Sequence, residues 1–138
     1  MEILNDDTCV KDVQASYGRC LANGDVIQTF YNNFLMTSDQ VTEKFKHTDF
    51  ESQKKLLRHG INLMIMYADD NIAGMAGLKR IQQSHSRRGL NITSNFYQSW
   101  KMSLLKALEQ HDRKFDEDIR NKWGVVLDKG IAFIAEGY

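Results

Sequence analysis

FESQKKLLRHGINLMIMYA, residues Phe50 to Ala68, runs without proline and sets Leu56, Leu57, Ile61, Met64 and Ile65 on one broad face at three- and four-residue spacing. That is the period of an α-helix, and a face so wide predicts a buried helix packed on two sides. Asp69-Asp70-Asn71 ends it, because short polar side chains accept hydrogen bonds from the unpaired amides at helix boundaries. A weaker, glycine-containing segment follows from Ile72 to His85, with Met75, Leu78, Ile81 and His85 three or four apart. Such a stripe points one way and brings a histidine into line with apolar side chains.

Outward from this pair the helical period holds almost throughout. The sequence contains no proline and shows no period-two alternation, so an all-α fold is predicted. Towards the N-terminus the reading gives a helix from about Asp7 to Ala22, stopped by Asn23-Gly24, and another from Asp25 to Met36 carrying Val26, Ile27, Phe30, Phe34 and Leu35. A short helical turn from Ser38 to Phe45 leads into the polar corner Lys46 to Asp49. Beyond His85 lies a basic loop, Ser86 to Asn91; Thr93 then caps a helix to about Gln110 with Tyr97, Trp100, Leu104, Leu105 and Leu108. A last helix runs from about Phe115 to Ala135.

No linker, repeat or low-complexity stretch divides the 138 residues, which read as a single domain, 1–138. A chain of this size buries roughly 68–70% of the surface its unfolded form exposes, enough for a sizeable core. Lys and Arg number 18 and Asp and Glu 18, so no overall field draws the protein to nucleic acid or an anionic membrane, and neither is an expected partner. No apolar run approaches the about 20 residues that span a bilayer, and Met1 to Asp7 is acidic, unlike the basic start of a signal peptide. A soluble, cytoplasmic protein is expected. Cys9 and Cys20 lie on one predicted helix about 16 Å apart, beyond the reach of a mutual disulfide. Reduced, structural thiols are expected, with an intermolecular disulfide left open.

Among the four histidines only His85 lines up with an apolar stripe. Alone, that placement fits a metal ligand or a hydrogen-bonded core or surface histidine. His59 and His111 sit among Arg58 and Asp112 on polar faces and read as solvated. No HExxH is present and the two cysteines have no second pair, which argues against zinc. GxSxG, GxxxxGK[ST] and GxGxxG are likewise missing, so the usual marks of acyl transfer and nucleotide binding fall away.

The segments Thr29-Phe30-Tyr31, Glu43-Lys44-Phe45, Ser52-Gln53-Lys54-Lys55-Leu56-Leu57 and Ser84-His85 resemble, in order and separation, those of bacterial single-domain haem globins, the globin half of flavohaemoglobins and Vitreoscilla-type haemoglobin. The resemblance covers about Val10 to Phe133. It implies a globin fold of seven or eight helices around a haem pocket, between the Phe50–Ala68 helix and the His85 helix. It further implies haem b as cofactor, with His85 as the proximal iron ligand and Ser84 or a backbone carbonyl accepting from its other nitrogen. Phe45 matches the phenylalanine that packs on the porphyrin, with an ordinary core Phe as the alternative. Tyr31 and Gln53 match the distal pair that donates hydrogen bonds to a bound gas; Tyr31 read without the resemblance is equally a core tyrosine with a solvent-facing hydroxyl. The corner between Phe45 and Gln53 is two residues shorter than in flavohaemoglobins, which bears on the register of Gln53. Leu57 and Ile61 complete an apolar wall with Ile81. Arg88, beside Arg87, and His47 stand where haem propionates emerge, or are simply solvated charges. Tyr97 looks like the flavohaemoglobin tyrosine near the proximal ring, two residues further from His85; Glu136 is not assigned to its glutamate partner.

Three functions compete on this reading. The first is oxygen binding, for transport or scavenging, with O2, NO and CO as ligands. The second is a nitric oxide dioxygenase; with no flavin or nicotinamide domain following Tyr138, its turnover is expected to need a separate reductase. The third is a gas sensor or haem-free interaction module. Either a monomer or a homodimer suits all three.

Overall fold

A computed structural model describes residues 7–138, so Met1–Asp6, most of the acidic start, lie outside the described residues. Seven α-helices and no strand occur among the described residues: α1 Asp7–Ala22, α2 Val26–Leu35, α3 Asp39–Lys44, α4 Phe50–Ala68, α5 Ile72–His85, α6 Ser94–His111 and α7 Glu117–Glu136. The expected start signals operate as hydrogen bonds. Asp25, Ser38, Asp49, Asn71 and Asp116 each accept from a backbone amide of the helix they precede, at 2.9–3.2 Å. Thr93 stands in the cap position of α6 but makes no such bond; its hydroxyl turns to Asn95 instead.

The core is continuous and passes through every helix. Helix α4 packs on α5 and α7 and also touches α1 and α2, so it is enclosed more fully than the two-sided burial predicted. Its buried face is Leu57, Ile61, Leu63, Met64 and Ile65. Leu56, expected on that face, is 62% exposed; a stripe five residues wide leaves its edge to be decided by the neighbours, and none covers Leu56. Met75 of α5 is likewise turned outward at 48% exposure, and the inner face of that helix is Gly74, Gly77 and Leu78. Helix α7 seats Trp123, Val126 and Leu127 at the centre, completely shielded, each burial contributing about 1.5–3 kcal/mol.

One polar residue reads differently in three dimensions. His111 is no solvated histidine: its Nδ1 meets the Asn23 carbonyl at 2.7 Å and its Nε2 the Thr29 hydroxyl at 2.8 Å, clasping the end of α6 to the α1–α2 corner. Gly24, at φ +102°, lies under that ring. Cys9 and Cys20 are buried, as a structural role requires, with Cys20 Sγ 3.5 Å from the Leu108 carbonyl. Burial pushes the Cys20 thiol up to about 12, which keeps it unreactive.

Candidate functional site

The site begins with the packing of α5 on α4. Just after the corner their backbones touch: a Cβ on Gly74 would lie 2.7 Å from the Tyr67 amide nitrogen, and one on Gly77 2.5 Å from the Leu63 side chain. Further along, the nearest atom to a Cβ on Gly60 is the tip of Ile81 at 3.8 Å. Backbone contact has given way to side-chain contact. The two glycines therefore seat α5 closely on α4 at one end, and His85 is the last helical residue at the other.

His85 is half-buried. Its Nδ1 lies 3.0 Å from the Ile81 carbonyl and 3.1 Å from the Ser84 hydroxyl. A carbonyl only accepts, so Nδ1 holds the proton and Nε2 keeps its lone pair. Burial holds the ring below the usual histidine range, against the smaller opposing effect of the Ile81 carbonyl, and so favours the neutral imidazole that binds metals.

On other elements, α2 and the α3–α4 corner build an aromatic cluster. Tyr31 is 2% exposed, with its ring edge-to-face with Phe30, Phe45 and Phe50 at centroid distances of 4.9, 5.9 and 5.5 Å. Its hydroxyl donates to the Gln53 carbonyl at 3.4 Å, the long end of hydrogen bonding. Burial raises the phenol to about 12, so it stays a donor at neutral pH. Phe45, at the C-terminal cap of α3, is half-buried and also meets Phe34 and Phe50. The fold thus brings Tyr31, Phe45 and Gln53 together; Leu57 and Ile61 line α4 beyond Gln53, with Ile81 opposite. Arg88 and His47 are exposed, and neither joins an ion pair among the described residues. Tyr97 is half-buried, and burial raises its phenol to about 12 as well; Glu136 is exposed.

Several residues at this end of the core escaped the sequence reading. Phe50 looked like a helix start rather than a ring partner of Tyr31. Ile92 and Phe96 are half-buried and continue, at four-residue spacing, the stripe of α6 that carries Trp100. Lys44 Nζ donates to the Leu90 carbonyl at 3.0 Å and stands 5.8 Å from the Phe96 ring centroid, bridging α3 to the loop behind His85. Ile92 returns its amide to the His85 carbonyl at 3.1 Å.

These donors fit a metal that carries its own ligands. Among the described residues no group of three or more His, Cys, Asp or Glu could hold an ion, whereas His85 offers one neutral nitrogen. Phe45, Ile81, Ile92, Phe96 and Trp100 are apolar side chains left partly exposed.

Seven helices and no strand among the described residues define an all-helical globin fold. A crystal structure of a Pseudomonas aeruginosa PAO1 protein, described as structurally highly homologous to a human hemoglobin, matches with a TM-score of 0.90 and 39% identity over 94% of this chain and 98% of that one. The chain belongs to the globin family. No protein-family model and no curated protein matches it.

Proposed function

We propose that this globin carries haem b and binds dioxygen and other diatomic gases, with His85 as the proximal ligand. The observation that supports this most is the His85 ring itself. Its Nδ1 proton is committed to the Ile81 carbonyl at 3.0 Å, which orients the imidazole and strengthens Nε2 as an electron donor. When bound, haem would be held by His85 and would supply an iron able to take O2, NO or CO. Tyr31 then serves as the distal donor: its phenol is protonated and its present bond to the Gln53 carbonyl is long, so a better acceptor can claim it. The Gln53 side chain, half-buried, is the second donor. Phe45, Leu57 and Ile81 exclude water from the site, and Arg88 offers a cation and His47 a ring N–H to the haem carboxylates. No helix among the described residues is long and apolar enough to cross a membrane.

Purified protein titrated with haemin is expected to develop a Soret band at one equivalent. His85→Ala is expected to lose or severely weaken it while keeping wild-type helical circular dichroism. Wild-type haem binding in that variant would show that another residue holds the iron, and a wild-type protein indifferent to haemin would remove the gas chemistry altogether.

A further inference from the structure

The loop Ser86–Asn91 behind the proximal histidine is held in shape by its own backbone. The amides of Leu90, Asn91 and Ile92 return to the carbonyls of Ser84, Ser86 and His85 at 2.8, 2.9 and 3.1 Å. Two other elements then grip it. On one flank Arg87 stacks on the Tyr138 ring at 4.9 Å, and the Tyr138 hydroxyl reaches Asn91. On the other, α3 reaches over: Lys44 donates to the Leu90 carbonyl at 3.0 Å with its ammonium near the face of Phe96, and Gln40 accepts from Asn95 at 3.2 Å. Lys44 directly precedes Phe45, and the loop directly follows His85. The contact therefore ties together the two segments that would press on opposite parts of one cofactor.

We propose that Lys44 is a positioning residue for the His85 pocket: by holding the Leu90 carbonyl it keeps α3 and the loop closed together and slows escape of the haem. This rests on the reading of His85 as the haem ligand. Lysine suits the task because a charged donor to a carbonyl is stronger than a neutral one, while its long stem spans from α3 without displacing Phe45. The carbonyl and the ring together recognise a cation, so arginine can stand in and an apolar chain of equal length cannot.

The test compares Lys44→Met and Lys44→Arg with the wild type in two measurements. In haem-free protein, hydrogen exchange at Leu90, Asn91 and Ile92 is expected to quicken about fivefold in Lys44→Met, the size of one exposed charge-assisted hydrogen bond. In haemin-loaded protein, transfer of haemin to an excess of an acceptor apoglobin is expected to quicken by a similar factor of about five. Lys44→Arg is expected to restore both towards wild type. Unchanged exchange in Lys44→Met overturns the clasp; faster exchange with unchanged haemin transfer overturns its role in retention. Failure of Lys44→Arg to rescue overturns the cation as the cause. Wild-type protein that takes up no haemin overturns the parent reading, and the positioning role with it, while the exchange measurement still reports whether the clasp exists.

Discussion

Tyr31 owes its chemistry to burial. A phenol 2% exposed among three aromatic rings, with its acidity suppressed to about 12, remains a hydrogen-bond donor across the neutral and mildly alkaline range. Deleting that donor from a site that excludes water removes about 1–3 kcal/mol from a bound polar ligand. Tyr31→Phe is therefore expected to speed oxygen dissociation by about 10- to 100-fold, measured by stopped-flow displacement with carbon monoxide. Gln53→Leu keeps the bond from Tyr31 to the Gln53 backbone carbonyl but removes the side-chain amide, which also interacts with the Tyr31 phenol. Its effect then reports the amide together with its support of Tyr31. Unaltered off-rates in both variants would place the distal donors elsewhere. The wild-type rate is also expected to be flat with pH in this range, since the phenol does not titrate there.

At the scale of elements, the decisive junction is the close contact of α4 with α5. Gly74 faces the Tyr67 backbone and Gly77 faces the Leu63 side chain, and the difference sets an expectation. A methyl at Gly77 meets a side chain that can turn aside; one at Gly74 meets main chain that cannot, and α5 must shift. Overpacking of that kind costs about 1–3 kcal/mol, whereas replacing a helical glycine by alanine returns at most about 1. Gly74→Ala is thus expected to be net destabilising in urea unfolding of the haem-free protein, and more so than Gly77→Ala. The reverse order would contradict the seating described. Nothing in the sequence distinguishes these two glycines, although it marks both. Boundaries set by local chemistry, such as Asp25, Ser38, Asp49 and Asn71, were legible because a cap acts within three residues. The grouping of Tyr31, Phe45 and Gln53 was legible only through the resemblance of their segments to those of bacterial globins, because no local pattern links residues on separate helices. Leu56, Met75 and His111 were misread for the opposite reason: their exposure depends on elements far away in sequence, and an amphipathic pattern leaves its edges undetermined. Phe50 and Lys44 were passed over because their partners lie in other segments.

For the molecule as a whole, one buried carboxylate ties the first helix to the last two. Asp112 is 3% exposed; it accepts from Ser16 at 2.6 Å, from Arg19 Nε at 2.6 Å and Nη2 at 3.0 Å, and from the Lys114 amide at 2.9 Å. Trp123 of α7 completes the network by donating to Ser16 at 2.9 Å. Burial alone raises the pKa of such a carboxyl, but the hydrogen bonds from Arg19, Ser16 and the Lys114 amide outweigh it and hold Asp112 below the ordinary range. A carboxyl held lower in the folded state than in the unfolded one contributes stability that is complete above the unfolded value and disappears as pH falls through the folded value. Removing the charge by Asp112→Asn at neutral pH also leaves Arg19 without its partner. Breaking a buried pair costs about 3–5 kcal/mol, and because the Arg19 side chain is 31% exposed and can turn to water, about 2–3 is expected here. The gap between wild type and variant should stay constant from neutral pH down to about pH 5 and narrow below about pH 4, where the wild-type carboxylate itself takes a proton. Urea unfolding of both proteins in the haem-free state across that range measures it. A gap that persisted undiminished into acid would mean that the shape of the side chain, not its charge, secures the junction of α1, α6 and α7.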